Sequence, residues 1–412
     1  VRRFAARPTV RGWQALFFGA VVLGVARLIG TTQLHQLAYA LLALLLAAFV
    51  LGLPGVRGMR FSRSLPPGSR LFAGDSSRAV LSLSCGSRFG TSALEVTDRL
   101  PEPRLFEADP LSPEEEARIE VPLSFERRGV YELGPAEVRC TDPFGLLGFV
   151  RRFEERTEVV VYPRTYPLPG FPLRGGEVDA GSRGAVGRRG DEFAGIREYR
   201  RGDELRHIHW KSLARTGELY VKEFSQQTPR RYAVALDLRR QGLRVPEAEV
   251  EDAVSAAASV LAHLRRQGLP SRLLCANAGE DATEFGSDED CYGEAMRLLA
   301  TVRADGRRSL SSLLDEERGA LGEGVVIVSR TRDEGLPGFV GRLRAAGLQV
   351  IVVSLANYSY LMPSGTGPRA QAREEEFLRE VGVLEAAGAT VLAVRHPEGP
   401  AALSGRLEAA AR

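Results

Sequence analysis

Residues 230–239, RRYAVALDLR, decide the class of the largest folded region of this chain. Their apolar positions follow one another without polar alternation, and the run ends on an acidic residue, Asp237. A strand with that pattern is buried on both faces, which is the state of strands in a parallel sheet covered by helices. The segments that follow repeat the theme. VEDAVSAAASVLAHLRRQG has the period of an amphipathic helix and stops at Gly268. SRLLCANA reads as a strand, YGEAMRLLATVRA as a helix and GVVIVSRT (324–331) as a buried strand. FVGRLRAAG, LQVIVVSL, FLREVGVLEAAG and ATVLAVRH continue as helix, strand, helix and strand. The alternation predicts an α/β doubly wound domain over 230–396, followed by a C-terminal tail at 397–412. Such sheets take ligands beyond the carboxyl ends of their strands. Here that edge carries Asp237, Arg239, Ser329, Arg330 and Thr331. Neither a GxGxxG nor a Walker-type loop occurs at these turns, which argues against a nucleotide cofactor.

Immediately upstream lies GDEFAGIREYRRGDELRHIHWKSLARTGELYVKEF (190–224). Of the 55 Lys+Arg in the chain only two are lysines, and both, Lys211 and Lys222, fall in this stretch. A compact ammonium suits a crowded pocket where a planar guanidinium would not fit. Over 188–231 the chain has 11 basic and seven acidic residues, interleaved. Mixed signs at that density predict an internal salt-bridge and hydrogen-bond network rather than a nucleic-acid groove. The candidate binding residues are Arg197, Asp203, Arg206, His207, Trp210, Lys211 and Arg215, with Asp237, Arg239 and Arg330 from the strand edge. His207 and His209 alternate, so on a strand they would share a face, but a zinc pair there lacks a third ligand nearby. Acid–base chemistry would need Asp203 within reach of one of these histidines. An alternative hydrolase site would be built from Asp203, His207, His209 and Lys211. Trp210 is expected as a core anchor. No residue is assigned a catalytic or metal-ligating role.

Before the signature, PRTYPLPGFPLRGGEVDAGSRGAVGRRG is rich in Pro and Gly. It predicts a linker, or a strap lying over another domain, with few buried side chains, and 164–229 form one connecting region. From 57 to 163 the pattern is one of short strands: RFSRSL, SRAVLSLSCGS, SALEVTDRL, ARIEVPLSFERRG, VYELGPAEVRC and TEVVVYPR. PPG, AGD, LPEP, RRG and DPFG supply the reversals. Many short strands at regular spacing predict an immunoglobulin-like β-sandwich.

The chain opens with two apolar runs, 13–29 and 36–53, each long enough to cross a bilayer core. GTTQLH between them carries no Lys or Arg. Arg2, Arg3, Arg7 and Arg11 precede the first run, and Arg57, Arg60 and Arg63 follow the second. The positive-inside rule therefore predicts a transmembrane helical hairpin over 1–56 with both flanks, and everything after them, in the cytoplasm at the inner membrane. With a net charge of +3 there is no bulk electrostatic case for nucleic acid. Cys85, Cys140, Cys275 and Cys291 are widely spaced, without zinc or CxxC patterning, and are expected as free thiols.

The run EFAGIREYRRGDELRHIHWKSLARTGELYVKEF resembles the signature of the bacterial family known as domain of unknown function fifty-eight, with Arg197, Asp203, Arg206, Trp210, Lys211 and Arg215 at the pattern positions. RRGVYELGPAEVRCTDPFGLLG and VVVYPR resemble the β-domain that precedes it there. The resemblance implies a C-terminal half similar to von Willebrand factor A domains, and a MoxR-type AAA+ ATPase as protein partner. In von Willebrand A domains a metal site uses D-x-S-x-S after the first strand and an Asp after a later one. This chain has Asp237-Leu238-Arg239-Arg240-Gln241 and Ser329-Arg330-Thr331, keeping the first Asp, losing both serines and placing Arg where the later Asp would be. Two guanidiniums in place of oxygen ligands argue against a divalent cation, with Asp333 the one further oxygen source. Arg239 and Arg330 are then expected either to bind a partner's carboxylate or to pair with Asp237. The expected function is that of a membrane-anchored interaction module, a scaffold or partner of such an ATPase.

Overall fold

The computed structural model describes residues 4–66, 70–86, 91–113, 115–173, 192–199, 208–225, 230–240, 246–362 and 367–403. The chain forms two compact units, Val1–Arg164 with Leu299–Thr301, and Thr165–Leu298 with Val302–Arg412.

The first unit begins with a strand, β1 (Phe4–Pro8), that runs straight into α1 (Val10–Ile29). Thr9 caps α1, its hydroxyl accepting from Gly12 N at 3.1 Å. Gly30, at φ 76°, ends it in the left-handed conformation that glycine adopts without strain. α2 (Thr32–Arg57) returns. Both helices are long and apolar enough to cross a membrane. Their buried positions are mostly small, with Gly12, Gly19 and Ala26 on α1 and Ala38, Ala48, Gly52 and Gly55 on α2. Small residues let backbones approach closely without a water-driven core. Trp13, Phe17, Phe18, Leu28 and Leu46 point outward.

The rest of this unit is a β-sandwich. β2 (Met59–Ser64), β4 (Ser76–Cys85) and β7 (Glu116–Ser124) form an antiparallel sheet in the order β2-β4-β7. β5 (Leu94–Leu100), β6 (Glu102–Ala108), β9 (Ala136–Thr141) and β10 (Leu147–Phe153) join β1 in the order β1-β10-β9-β5-β6. β3 (Leu71–Phe72), β8 (Gly129–Leu133) and β11 (Thr157–Tyr162) make a third sheet, β3-β11-β8. Phe61, Leu81, Val96, Leu133, Val138 and Phe149, drawn from all three sheets, belong to one buried core. The expected single strand VYELGPAEVRC is two strands in different sheets, broken where Gly134 takes φ 98°. Arg63 is also not part of a basic flank. It points into the sandwich, opposite the exposed Arg60, Ser62 and Ser64 of the same strand, because alternate residues of a strand face opposite ways.

In the second unit, residues 165–173 lie along a helix, α4 (Glu247–Arg266). Tyr166 N donates to Ser259 Oγ at 2.9 Å, and the Phe171 ring lies 5.8 Å from that of His263. Leu168 and Phe171 are buried, so this part of the connector is a strap with its own apolar anchors. The signature folds as β12 (Glu192–Glu198), α3 (Trp210–Thr216) and β13 (Tyr220–Ser225), with β12 and β13 antiparallel and Ile208 bridging Val221. The α/β sheet follows from β14 (Tyr232–Leu236), β15 (Ser271–Cys275), β16 (Gly324–Ser329), β17 (Gln349–Leu355) and β18 (Thr390–Val394). All neighbours pair parallel, in the order β15-β14-β16-β17-β18. Around it are α4, α5 (Glu289–Thr301), α6 (Leu310–Glu316), α7 (Leu336–Ala345), α8 (Asn357–Leu361) and α9 (Pro368–Ala386). Ala233, Ala235, Val325, Ile327, Val350 and Val352 share a core with α6 and α7, leaving the intervening buried positions of the same strands to α4. The chain order reverses between β14 and β16, where a parallel sheet opens a crevice at its carboxyl edge.

Candidate strand-edge site and signature helix

Asp237 follows β14 and is 2% exposed. Its Oδ1 accepts from Arg239 N at 3.0 Å, and its Oδ2 accepts from Thr331 N at 2.9 Å and from the Thr331 hydroxyl. The expected ion pair with Arg239 or Arg330 does not form, because backbone and hydroxyl donors already satisfy the carboxylate. Asp237 thus ties the loop after β14 to the loop after β16.

Both arginines turn inward. Arg239 donates through NH2 to Thr331 Oγ1 at 2.7 Å and to the Arg332 carbonyl. Arg330 donates to the Arg239 carbonyl, and its NH1 lies 3.6 Å from Glu249 Oε1, with the two side chains 1% and 0% exposed. The carboxylate that Arg330 faces is the chain's own Glu249, in the first turn of α4. Burial pushes the Glu249 carboxyl above its ordinary range, against the pull of Asn357 Nδ2, which donates to Oε2 at 2.9 Å, and of the Arg330 charge. One turn on, Asp252 is raised by burial as well and accepts from the Tyr360 hydroxyl at 2.7 Å. Asp333 is engaged elsewhere, accepting from Ser311 N and Oγ and from Gly335 N. Among the described residues no cluster of three or more His, Cys, Asp or Glu could hold a metal ion.

Beside this network opens a cleft of about 920 Å³, bounded by the loop after β16, by α8 and by α9. Glu249 and Arg330 lie at its inner end, Tyr358, Met362 and Phe377 line its walls, and Arg332 stands 3.2 Å from Glu380 beside it. Sequence reasoning located the strand edge but missed Glu249 and Asn357. A signal for Glu249 was present, since it stands four residues before Ala253 and seven before Ala256, on the buried face of α4.

In the signature, Asp203, Arg206, His207 and the side chain of Arg197 lie outside the described residues. His209 is the N-cap of α3, and its Nδ1 is 2.8 Å from the hydroxyl of buried Ser212. Trp210, expected in the core, is 62% exposed. Lys211 and Arg215 on the same short helix are exposed too. Near α3 the buried apolar side chains among the described residues are Ile208 and Val221, bridged to each other.

The family described as "Protein of unknown function DUF58" matches residues 195–323, from within β12 to the residue before β16. A protein of Bacillus subtilis (strain 168) named "Uncharacterized protein YeaD" is 24% identical over 327 residues, covering 75% of this chain and 80% of its own length. Among solved structures, the CARDB domain of a Pyrococcus furiosus protein covers 25% of this chain and 91% of itself, at 10% identity and a TM-score of 0.19. The beta-glucosidase 3B of Thermotoga neapolitana covers 25% of this chain and 17% of itself, at 15% identity and a TM-score of 0.15. Scores this low carry no argument about fold. The signature and the first half of the α/β unit are thus similar to the DUF58 family, and most of the chain is similar to the Bacillus protein.

Proposed function

We propose that this chain is a membrane-anchored protein-interaction module of the inner membrane, its two folded units facing the cytoplasm and its signature helix docking a protein partner. The observation that carries the docking role is α3, where an aromatic that is 62% exposed stands beside two exposed cations. Trp and Arg, here Trp210 and Arg215, are among the side chains enriched at interface hot spots. The strand-edge chemistry supports the same reading, since Asp237, Arg239 and Arg330 are turned onto partners within the chain.

The parallel, doubly wound sheet with Asp237 after its first strand supports a von Willebrand factor A-like α/β unit, and antiparallel sheets around one core support an immunoglobulin-like spacer. Arginine flanks on both sides of an apolar hairpin, with none at its tip, support the cytoplasmic orientation. The partner implied by the resemblance is a MoxR-type AAA+ ATPase, for which the chain is a membrane-bound scaffold.

Titration of a purified MoxR-type ATPase onto the full chain in lipid nanodiscs tests this. Saturable binding is expected, weakened at least about tenfold, or ~1.4 kcal/mol, by Trp210→Ala combined with Lys211→Ala. Equal binding by a folded double variant would overturn the role of α3, and absence of binding by the wild type would overturn the ATPase as partner.

A further inference from the structure

We propose that the β-sandwich lies directly on the bilayer, with the turn Asp142–Leu146 seated in the headgroup layer of an anionic phospholipid surface. This rests on the reading of α1 and α2 as membrane spans.

The spans do not leave the sandwich through a tether. α1 has 20 residues, which at about 1.5 Å each cover the ~30 Å of a hydrocarbon core, so its first turn stands at one edge of that core. The turn Asp142–Leu146 is fixed at that height. Thr9 N donates to Leu146 O at 2.9 Å, and the Thr9 hydroxyl donates to Gly145 O at 2.7 Å. A Cβ on Gly12 would stand 2.0 Å from Leu146 O, so helix and turn touch backbone to backbone. α2, with 26 residues, exceeds by about six the ~20 that a core requires. Its last turns are built into the sandwich. A Cβ on Gly52 would strike the Phe149 ring at 2.3 Å, and Arg151 donates to Val56 O at 2.8 Å and to Arg57 O.

The turn is also shaped in advance. The Asp142 carboxylate accepts from Phe144 N at 2.8 Å and from Leu147 N, and it is buried. Phe144 is left 44% exposed on this turn, and Trp13, in the first turn of α1, is 63% exposed. Aromatic side chains at the edge of a span favour the membrane–water interface.

Charge selects the lipid. The first 74 residues contain nine arginines and neither Asp nor Glu. Arg7, Arg11, Arg57 and Arg60, around the base of the hairpin, are exposed and pair with no carboxylate among the described residues. Cations at the edge of a span attract anionic headgroups and reach them by extending their stems.

The test uses the full chain in nanodiscs whose phosphatidylglycerol carries bromine on its acyl chains, which quenches tryptophan at shallow depth. Three single-tryptophan proteins are compared: Trp210→Phe, which keeps Trp13, and two made on a Trp13→Phe, Trp210→Phe background by adding Phe144→Trp or Leu105→Trp. Leu105 is exposed on β6, at the sheet edge opposite β1. Phe144→Trp is expected to lose most of its emission and to shift to the blue, whereas Leu105→Trp keeps its emission. In phosphatidylcholine discs the quenching of Phe144→Trp should weaken. If Trp13 is quenched while Phe144→Trp is not, or if Phe144→Trp and Leu105→Trp are quenched alike, the proposed seat is overturned and the spans stand. Equal quenching in the two lipids would overturn the anionic selection. If Trp13 itself is not quenched, the spans fail and the proposal fails with them.

Discussion

Arg63 and Asp98 form a pair with no exposed side-chain surface, and every polar contact of that pair is internal. Arg63 Nε and NH2 meet the two oxygens of Asp98, at 2.9 Å and 2.5 Å, while NH1 reaches Leu133 O and Thr157 Oγ1 at 3.3 and 3.2 Å. Those partners sit on β5, β8 and β11, so one guanidinium starting on β2 joins all three sheets. Asp98→Asn should therefore cost about 3–5 kcal/mol in denaturant titrations followed through the β-unit, because it leaves a buried cation without its charge partner. Arg63→Met combined with Asp98→Leu should recover most of that loss. Little of this was legible in the sequence, where Arg63 continues a run of interfacial arginines and Asp98 stands 35 residues away. Trp210 failed in the opposite direction. Size and hydrophobicity favour burial on average, but on the short helix α3 the indole stands exposed. The acidic residue closing the strand at 230–239 was legible, because a polar group after a fully apolar strand must fall at the sheet edge.

At the scale of elements, α8 is held to α4 by two polar contacts one turn apart, Asn357 to Glu249 and Tyr360 to Asp252. Burial raises both carboxyls, Asp252 from an ordinary value of 3.8 and Glu249 from 4.5. A carboxyl raised on folding holds more protons in the native than in the unfolded chain, so its contribution to stability falls as pH rises from the ordinary value through the raised one. Asp252→Asn removes that slope. Unfolding midpoints measured between about pH 4 and 7 should show the variant gaining on the wild type as pH rises, and parallel curves would contradict the assignment. The long helices of the α/β unit and its buried strands were readable from period and composition alone. β6 and β10, each folded back antiparallel on the strand just before it, were not, and neither was β1, which pairs with a strand about 140 residues later in the chain. A strand defined by a distant partner leaves only a weak local trace. α8, five residues long, has too few positions to show a helical period.

For the molecule as a whole, the sequence disclosed the layering, an apolar hairpin before a β-rich unit before an α/β unit, because each layer has its own periodicity. It did not disclose that both helices emerge from the sandwich in direct contact with it, since Gly12 and Gly52 acquire meaning only when the Leu146 backbone and the Phe149 ring are placed against them. The docking role of α3 and the bilayer seat of the Asp142–Leu146 turn both depend on a chain held at the membrane with its folded units in the cytoplasm. The most direct measurement is alkaline carbonate extraction of cell membranes carrying the full chain, paired with protease added to intact and to opened spheroplasts. The account predicts that the chain stays in the bilayer fraction, and that residues after Arg57 are cut only once the spheroplasts are opened. Release by carbonate, or cleavage in intact spheroplasts, would contradict it.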